Sequence, residues 1–392
     1  MSDWQPEIYN AVSELLDRNV DEGRGGKIAF MDLHRSITYS ELQAQTRRFA
    51  NFLGRMGVRR EERIAMIMLD TVDFPIVFLG AVRAGVVPVP LNTLLLPEQY
   101  AYLLNDSRAR LLFVSDALLP SYEAMSDRTP PSRNVVVAGR EIPPYQSLAA
   151  ALAAERPEFD TAPTHPDEPA FWLYSPGSTG APKGVRHVHS SLMATAQTYG
   201  HNVLGIREDD LCHSAAKLFF AYGLGNGLTF PMSVGATSVL NPERPTPASV
   251  FALLKRFEPS IFYAVPTLFA SMLHDPTTMD EKGSPRLRIC TSAGEALPGH
   301  VGLAWKERFG VDILDGTGST EMLHIYLSNV GGNIKYGTSG FPVPGYEVKL
   351  VAENGAPVAD GEIGEMLVFG PSTADGYWNK REKTRSTFEG KW

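Results

Sequence analysis

Apolar residues recur along the chain in two alternating spacings, one typical of helices and one typical of buried strands. Val250, Phe251, Leu254 and Phe257 follow the helical spacing, and an apolar strand is predicted directly after them, at 261–265. The same alternation covers most of the sequence. The other predicted elements are helices at 40–56, 74–84 and 97–104 and from His189 and Pro266 onward, with strands at 63–69, 86–90, 110–114, 135–138, 170–173, 287–291 and 311–314.

Helix ends are predicted from capping residues. Ser40 is expected to cap the first of these helices, because a serine hydroxyl can accept a hydrogen bond from the first backbone N–H groups. Gly57 is expected to end it. Pro266 suits the first turn of a helix, where its missing N–H costs nothing.

This order of elements predicts an α/β fold, with two βαβ-type, mostly parallel sheets packed with helices. A polar, proline-rich stretch ends near residue 166 and divides a first α/β part, about 1–166, from a second at 167–339. From residue 340 the pattern changes to short strands and glycine turns, so 340–392 is expected to form a smaller β-rich subdomain.

Composition narrows the classes of partner. The 392 residues are 43% hydrophobic and 20% charged, which is typical of globular proteins. A net charge of -8 provides no overall basic surface, so nucleic acid is not expected as a partner. Cys212 and Cys290 lack metal-ligand spacing and are expected to be buried thiols. His187 and His189 have no acid or thiol at convincing ligand spacing either.

No targeting or membrane segment is predicted. The first residues lack a basic region followed by an apolar stretch, so they do not form a signal peptide. The longest apolar stretch, 74–91, is interrupted by Arg83 and three prolines, which excludes a membrane span there. The expected location is the cytoplasm.

A loop rich in glycine and hydroxyl residues covers 174–185, between the predicted strand at 170–173 and the helix from His189. Glycines let backbone N–H groups approach an anion, and the hydroxyls of Ser178 and Thr179 can donate to it. A strand, such a loop and a helix together predict a phosphate site.

Lys183 adds a positive charge to this loop. A Walker A loop would place Ser or Thr directly after the lysine, but Gly184 follows Lys183 and Pro182 precedes it. An ordinary P-loop NTPase is therefore not predicted. The alternative is a flexible surface loop, which is what most runs of small residues form.

The whole string at 174–185 closely resembles the signature loop of the adenylate-forming superfamily, which comprises acyl-CoA synthetases, luciferases and peptide-synthetase adenylation domains. A second match covers 315–321, after the strand predicted at 311–314, and ends in a Thr-Glu pair as the family motif does. The resemblance implies that Thr320 bonds a phosphate oxygen and that Glu321 holds Mg²⁺ between phosphates. The implied catalytic residues are Lys183, Thr320 and Glu321, and the implied phosphate contacts are Ser175, Gly177, Ser178, Thr179, Gly180, Lys183 and Thr320.

Further matches extend the resemblance over essentially the whole chain. Segments 36–42 and 81–85 resemble early packing motifs of the family, and 364–377 resembles the motif of its β-rich subdomain. Segment 292–297 resembles the part that lines the adenine. The implied adenine contacts are Ala293, Gly294, Glu295, Ala296, Asp315, Gly316 and Thr317.

The resemblance also implies a fold and a missing part. Residues 1–392 correspond to the large N-terminal domain of adenylate-forming enzymes, whose β-rich subdomain is barrel-like. The sequence stops at Trp392, before the ribose-binding Asp, the hinge and the mobile C-terminal domain with its catalytic Lys. We therefore expect a truncated form or one part of a longer protein, inactive or weakly active alone.

Two segments resemble benzoate–CoA ligases in particular. Residues 218–225 contain Phe-Phe-Ala-Tyr-Gly, and Met-Leu-His-Ile follows Glu321 directly. The resemblance implies a flat pocket for a small aryl acid, with Phe220 as a gate, although core packing is the usual role of aromatic residues. The implied pocket residues are Phe220, Ala221, Tyr222, Gly223, His324 and Ile325.

The implied function is ATP-dependent activation of benzoate or a close aryl acid as its acyl-adenylate, followed by transfer to coenzyme A. ATP with Mg²⁺ and coenzyme A are the expected small-molecule partners, in a monomer or a homodimer, with a role in aromatic-acid breakdown. Three alternatives stay open at this point. The acid could be hydroxybenzoate, aminobenzoate, a cinnamate-type or a short-chain acid; the acyl group could be loaded on a carrier protein or oxidised; or the chain could bind nucleotide without catalysis.

Overall fold

The strands of the computed structural model span the chain almost from end to end. The model describes residues 8–128, 134–177 and 180–392. In chain order the strands are β1 Ile28–Met31, β2 Ser36–Thr38, β3 Arg63–Ile67, β4 Val87–Pro90, β5 Leu111–Ser115, β6 Asn134–Ala138, β7 Gln146–Ser147, β8 Pro169–Gly177, β9 Gly180–Val188, β10 Leu211–Ser214, β11 Thr237–Val239, β12 Ile261–Ala264, β13 Ile289–Ser292, β14 Ile313–Gly318, β15 Ile325–Ser328, β16 Phe341–Pro342, β17 Glu347–Val351, β18 Glu365–Phe369 and β19 Gly376–Tyr377.

The helices alternate with these strands as the sequence predicts. They are α1 Tyr39–Arg55, α2 Asp73–Arg83, α3 Pro97–Ser107, α4 Leu119–Glu123, α5 Leu148–Ala153, α6 His189–Thr195, α7 Ala221–Leu224, α8 Phe230–Val234, α9 Pro247–Phe257, α10 Pro266–His274, α11 Gly299–Phe309 and α12 Arg381–Thr387. Within the described ranges, no helix is both long and apolar enough to cross a membrane.

A nine-stranded sheet forms the centre of the molecule, in the order β16-β15-β14-β13-β12-β10-β11-β1-β2. Its inner strands, from β14 to β1, pair in parallel, and antiparallel strands stand at both edges. The carboxyl ends of β13 and β14 therefore lie at one edge, where open α/β sheets usually bind ligands. The predicted α/β class with mostly parallel sheets is confirmed.

A second sheet of five parallel strands has the order β4-β3-β5-β6-β7. Every residue of β5 is buried, because helices cover both faces of a parallel sheet. The large sheet takes β1 and β2 from the first part of the sequence and most of its other strands from the second. The large sheet thus crosses the predicted boundary at residue 166. The division of the chain into parts at residues 166 and 339 stays a prediction.

The predicted phosphate loop is the tip of a hairpin. Strands β8 and β9 pair antiparallel from Pro169↔Val188 to Gly177↔Gly180, so the predicted sequence of strand, loop and helix is wrong at this point. The helix does begin at His189, but only after the nine residues of β9. Val185 and His187, two residues apart, are both buried, and this alternation is typical of a strand. The glycine-rich composition of the segment concealed the signal.

Two other local predictions are corrected. The cap of α1 is Thr38 rather than Ser40: the Thr38 hydroxyl accepts from the backbone N–H of Glu41 at 3.2 Å, and the Glu41 carboxylate accepts from the N–H of Thr38 at 2.8 Å. The strand predicted at 311–314 is β14, which begins at Ile313 and continues through Gly318 into the second motif. This strand leaves its parallel pairing with β13 and continues into antiparallel pairing with β15.

The segment after residue 340 forms short strands, as predicted. Strands β17 and β18 make a two-stranded antiparallel ribbon, and β16 is added to the edge of the large sheet. Strand β19 pairs with β9, so this part of the C-terminal segment lies against the β8–β9 hairpin. This part of the chain forms the two-stranded sheet of β17 and β18 and contributes β19 to a three-stranded sheet with β9 and β8. The barrel-like form implied by the family resemblance stays a prediction.

A buried ion pair joins the N-terminal segment to α2. Arg83 is fully buried, and its guanidinium donates to both carboxylate oxygens of Asp17, at 2.7 and 3.0 Å. Two hydroxyls, those of Thr161 and Thr46, accept its other N–H groups at 2.6 and 3.2 Å. All of these donors point to partners, so the cost of burying the charge is offset.

Cys212 and Cys290 are buried free thiols, as expected.

We predict that Arg83→Met lowers the free energy of unfolding by about 3–5 kcal/mol, because the Asp17 carboxylate loses its cationic partner and keeps only the Gln43 amide donor, at 2.8 Å. Urea denaturation followed by circular dichroism measures this. Arg110→Met is the matched control, since Arg110 is exposed and lies 3.7 Å from Glu62; it should cost less than about 1 kcal/mol. Equal losses for the two variants would contradict the assignment.

Candidate active site

The two glycine-containing motifs meet at a pair of opposite charges. The Nζ atom of Lys183, on β9, lies 3.5 Å from Oε1 of Glu321, which follows β14. The hydroxyl of Tyr377, on β19, donates to the same Oε1 atom at 2.7 Å. Lys183 in turn donates to that hydroxyl at 3.3 Å. Lys183 and Glu321 are far apart in sequence, and β19 holds them together because it pairs with β9.

A buried histidine fixes the turn that carries Thr320 and Glu321. The Nε2 atom of His187 lies 2.8 Å from the carbonyl oxygen of Thr320, so the ring donates there. Burial lowers the pKa of His187 to about 4, and the Thr320 carbonyl and the Glu321 charge oppose this shift. The ring is therefore neutral near pH 7, and it stacks on Phe171 at 5.1 Å. Sequence reasoning assigned no role to His187.

Four of the predicted phosphate contacts, Ser175, Gly177, Gly180 and Lys183, lie on the β8–β9 hairpin. Ser175 is buried and stands opposite Lys183 in the β8–β9 register, and Gly177 stands opposite Gly180. The Ser175 hydroxyl has no hydrogen-bond partner among the described residues. Ser178 and Thr179, which complete the predicted set, lie outside the described residues.

The predicted adenine segment follows β13 at the same sheet edge. Ala293 is buried, whereas Gly294, Glu295 and Ala296 are exposed to solvent. The carboxylate of Asp315, on β14, accepts from the backbone N–H of Leu297 at 3.5 Å and so joins the segment to the next strand. Burial raises the pKa of Asp315 to about 6.

The other two predicted adenine residues have packing roles in β14. A Cβ atom on Gly316 would lie 2.8 Å from the carbonyl oxygen of Leu327, which is too close for any side chain. Thr317 donates its hydroxyl to Ser339 at 2.7 Å. These two residues therefore support the edge formed by β13 and β14.

An apolar cavity of about 290 Å³ opens beside Thr320. It contains five of the six predicted acyl-pocket residues together with two of the predicted adenine segment. Its lining is Ala216, Phe220, Ala221, Tyr222, Val265, Ala293, Gly294, Gly318, Ser319, Thr320, His324 and Ile325. Sequence reasoning missed Ala216 and Val265, which carry no motif signal.

Tyr222 and His324 add polar groups to the cavity wall, besides Ser319 and Thr320. The Tyr222 hydroxyl lies 2.7 Å from Oγ1 of Thr291, and Nε2 of His324 lies 3.1 Å from Oδ1 of Asn226. Burial lowers the pKa of His324 to about 3, so its imidazole is neutral at physiological pH. The rings of Tyr222 and His324 are 5.5 Å apart, which leaves aromatic surface facing the cavity.

Glycines set the shape of this wall. A Cβ atom on Gly225 would lie 2.5 Å from Cδ2 of His324, and one on Gly318 would lie 2.5 Å from the His324 carbonyl oxygen. Gly223, a predicted pocket residue, does not line the cavity. Its Cβ would lie 2.0 Å from the carbonyl oxygen of Lys217, so it permits close backbone packing instead.

Phe220 stands at the cavity rim with 47% of its surface exposed, in contact with Phe219 at 4.5 Å between ring centroids. This position is compatible with the predicted gate. Leu323, next to His324 in the chain, has a left-handed backbone with φ of 64°, which is uncommon for a residue that is not glycine.

A second cavity, of about 580 Å³, adjoins the first. Lys183, Glu321 and Tyr377 line it, and Ser319 lines both cavities. Thr320 faces the apolar cavity while Glu321 faces the charged one. A molecule that spans the two would place its junction at residues 319–321.

Glu321 provides a carboxylate in this second cavity, 3.5 Å from Lys183, which is one of the predicted phosphate contacts. In the described ranges, no cluster of three or more His, Cys, Asp and Glu side chains is arranged to hold a metal ion. A hard cation beside Glu321 would therefore need further oxygen ligands from a bound molecule, as Mg²⁺ commonly does with phosphates.

Comparisons with known proteins agree with this geometry. A curated benzoate–CoA ligase from Thauera aromatica is 54% identical over 389 residues, which is 99% of this chain and 73% of that protein. A 4-hydroxybenzoate–CoA/benzoate–CoA ligase from Rhodopseudomonas palustris is also 54% identical, over 98% of this chain and 71% of its own length.

A solved benzoate CoA ligase from Burkholderia xenovorans superposes with a TM-score of 0.93 at 48% identity, covering 98% of this chain and 76% of that one. The family model described as AMP-binding enzyme matches residues 16–378. The predicted relationship is confirmed, and the chain belongs to the AMP-binding enzyme family.

Proposed function

We propose that this chain is the nucleotide- and acid-binding part of an AMP-forming ligase that joins benzoate, or a close aryl carboxylate, to coenzyme A. The observation that carries the proposal is the contact between Lys183 and Glu321 beside an apolar, aromatic-lined cavity. The 54% identity to ligases named for benzoate and 4-hydroxybenzoate supports the same substrate class.

The proposed reaction has two steps. A carboxylate oxygen of the aryl acid attacks the α-phosphorus of ATP, the bond to the β-phosphate breaks, and acyl-AMP and pyrophosphate form. The thiolate of coenzyme A then attacks the acyl carbon, and the bond to the AMP oxygen breaks. Neither step requires a protein nucleophile, so positioning and charge stabilisation account for catalysis.

The chain's residues have distinct parts in the first step. Lys183 stabilises charge on the phosphates, and Thr320 donates its hydroxyl to a phosphate oxygen at the border of the two cavities. His187 holds Thr320 through its carbonyl. Glu321 is the proposed carboxylate ligand of Mg²⁺, which neutralises phosphate charge when bound.

The aryl ring is proposed to lie between Ala221, Tyr222 and His324. An apolar cavity of about 150 Å³ is enough to bind benzene, so 290 Å³ accommodates one ring and part of the acyl phosphate. The neutral His324 contributes no charge to the wall, and it therefore favours an uncharged ring. Hydroxybenzoate and aminobenzoate are the substrates to compare with benzoate.

We also propose the remaining predictions. They are a cytoplasmic location, a monomeric or homodimeric state, and the three-part division at residues 166 and 339. Transfer of the acyl group to coenzyme A is distinguished from carrier-protein loading by an assay with coenzyme A as the sole thiol acceptor. Benzoyl-CoA should form when coenzyme A is present, and acyl-AMP alone should accumulate when it is omitted; a carrier-loading enzyme would give acyl-AMP alone in both cases.

We predict that Glu321→Gln in the native protein slows acyl-AMP formation by about 10²–10³, because the Mg²⁺ that neutralises the phosphate charge loses its carboxylate ligand. Release of pyrophosphate with benzoate and ATP measures this step. Glu307→Gln, an exposed position on α11, is the control and should retain the wild-type rate. A wild-type rate for Glu321→Gln would reject the metal assignment.

We predict that Ala221→Leu raises KM for benzoate by at least about tenfold, since each added methylene in a filled pocket is worth about 1–3 kcal/mol. Affinity for ATP in the absence of benzoate should change little. Ala252→Leu, on the exposed side of α9, is the matched control. An unchanged KM for benzoate would show that the ring binds elsewhere.

A further inference from the structure

Tyr377 contacts both charged residues of the site but carries no role in the function proposed above. Its single hydroxyl hydrogen goes to Oε1 of Glu321 at 2.7 Å, and its oxygen accepts from Nζ of Lys183 at 3.3 Å. An ammonium group can only donate and a carboxylate can only accept. The tyrosine hydroxyl can therefore bond both groups only by accepting from Lys183 and donating to Glu321. The three groups form a directed chain from Lys183 to Glu321.

The ring of Tyr377 reinforces this arrangement. Nζ of Lys183 lies 4.4 Å from the ring centroid, within the range of a cation–π contact. The lysine is thus held 3.5 Å from Oε1, in an ion pair that is longer than a charge-assisted hydrogen bond. The cavity side of both groups stays open, since both line the second cavity.

The position of the ring is fixed from behind, without the hydroxyl. The backbone N–H of Tyr377 donates to Oγ1 of Thr384, on α12, at 3.0 Å. The ring packs edge-on against Phe388 with 5.4 Å between centroids. At Gly376 a Cβ atom would lie 2.7 Å from Cγ2 of Thr384, so strand and helix are closely packed. A Phe side chain at 377 would keep all of these contacts.

Loss of the hydroxyl would leave this 3.5 Å ion pair without the group that bonds both of its members. Attraction between the two charges at this distance is strong in a partly buried site. The pair would shorten to a direct charge-assisted hydrogen bond, which would withdraw the ammonium from phosphate and the carboxylate from a cation. Binding of Mg-ATP would then have to break that pair.

We propose that Tyr377 is a positioning residue that keeps Lys183 and Glu321 separately available, one for phosphate and the other for the cation. This inference rests on the proposed function, because it assumes that Mg-ATP binds in the second cavity. Tyr377 itself touches neither phosphate nor metal in this account. Its effect reaches the nucleotide through the two charged side chains.

The test is the coupling between Mg²⁺ and ATP binding in the native protein. Calorimetry gives the dissociation constant of ATP in EDTA and again in excess Mg²⁺, and the ratio of the two measures the coupling. Tyr377→Phe should reduce this ratio about tenfold, the scale of a hydrogen bond to a charged group. A structural disturbance alone would weaken both affinities and leave the ratio unchanged.

Tyr145→Phe is the matched control, because the Tyr145 hydroxyl also donates to a glutamate, Glu123, at 3.1 Å, but outside the site. It should retain the wild-type ratio. In a Glu321→Gln background, Tyr377→Phe should cause no further loss of coupling. If the Phe variant does not fold, Thr384→Val, which removes the acceptor behind Tyr377, should reduce the ratio in the same direction.

An unchanged or larger ratio for Tyr377→Phe, or for Thr384→Val in its place, would overturn the inference while leaving the ligase function intact. A wild-type protein that does not bind Mg-ATP at all would reject the proposed function as well. The two failures are therefore distinguishable in one series of titrations.

Discussion

The contact between Lys183 and Glu321 is the interaction on which the proposed chemistry depends. These residues come from a hairpin and from the end of a sheet strand, and β19 brings them to 3.5 Å by pairing with the hairpin. A carboxylate beside an ammonium in a partly enclosed space can hold a cation and phosphate oxygens at once. His187 adds rigidity, because it fixes the Thr320 carbonyl from the buried side of the hairpin.

The large parallel sheet explains why the acid and the nucleotide would meet. Strands β13 and β14 end side by side, so the segment after β13 and the turn after β14 share one edge. Within that turn Thr320 lines the apolar cavity and Glu321 lines the charged one, and His324 joins the wall of the apolar cavity. The turn after β14 therefore borders both cavities.

The sequence allowed the fold class and most elements to be predicted, because helical and strand spacings are local properties. The two motifs are long enough to single out Lys183 and Glu321, which the fold brings together, while their roles stay predictions. It did not reveal that the phosphate loop is a hairpin tip, since alternation in β9 is brief and glycine-rich. Tyr377 and His187 were missed for another reason. Their partners, Glu321 and Thr320, are distant in sequence, and only folding shows such contacts. Gly223 looked like a pocket residue, but it serves backbone packing.

A crystal structure of the native protein with a non-hydrolysable benzoyl-AMP analogue tests the central claim most directly. The account predicts the aryl ring between Tyr222 and His324 and the phosphate within hydrogen-bond distance of Thr320, with Glu321 and Lys183 alongside. An analogue bound outside the two adjoining cavities, or with its phosphate away from residues 319–321, would contradict it.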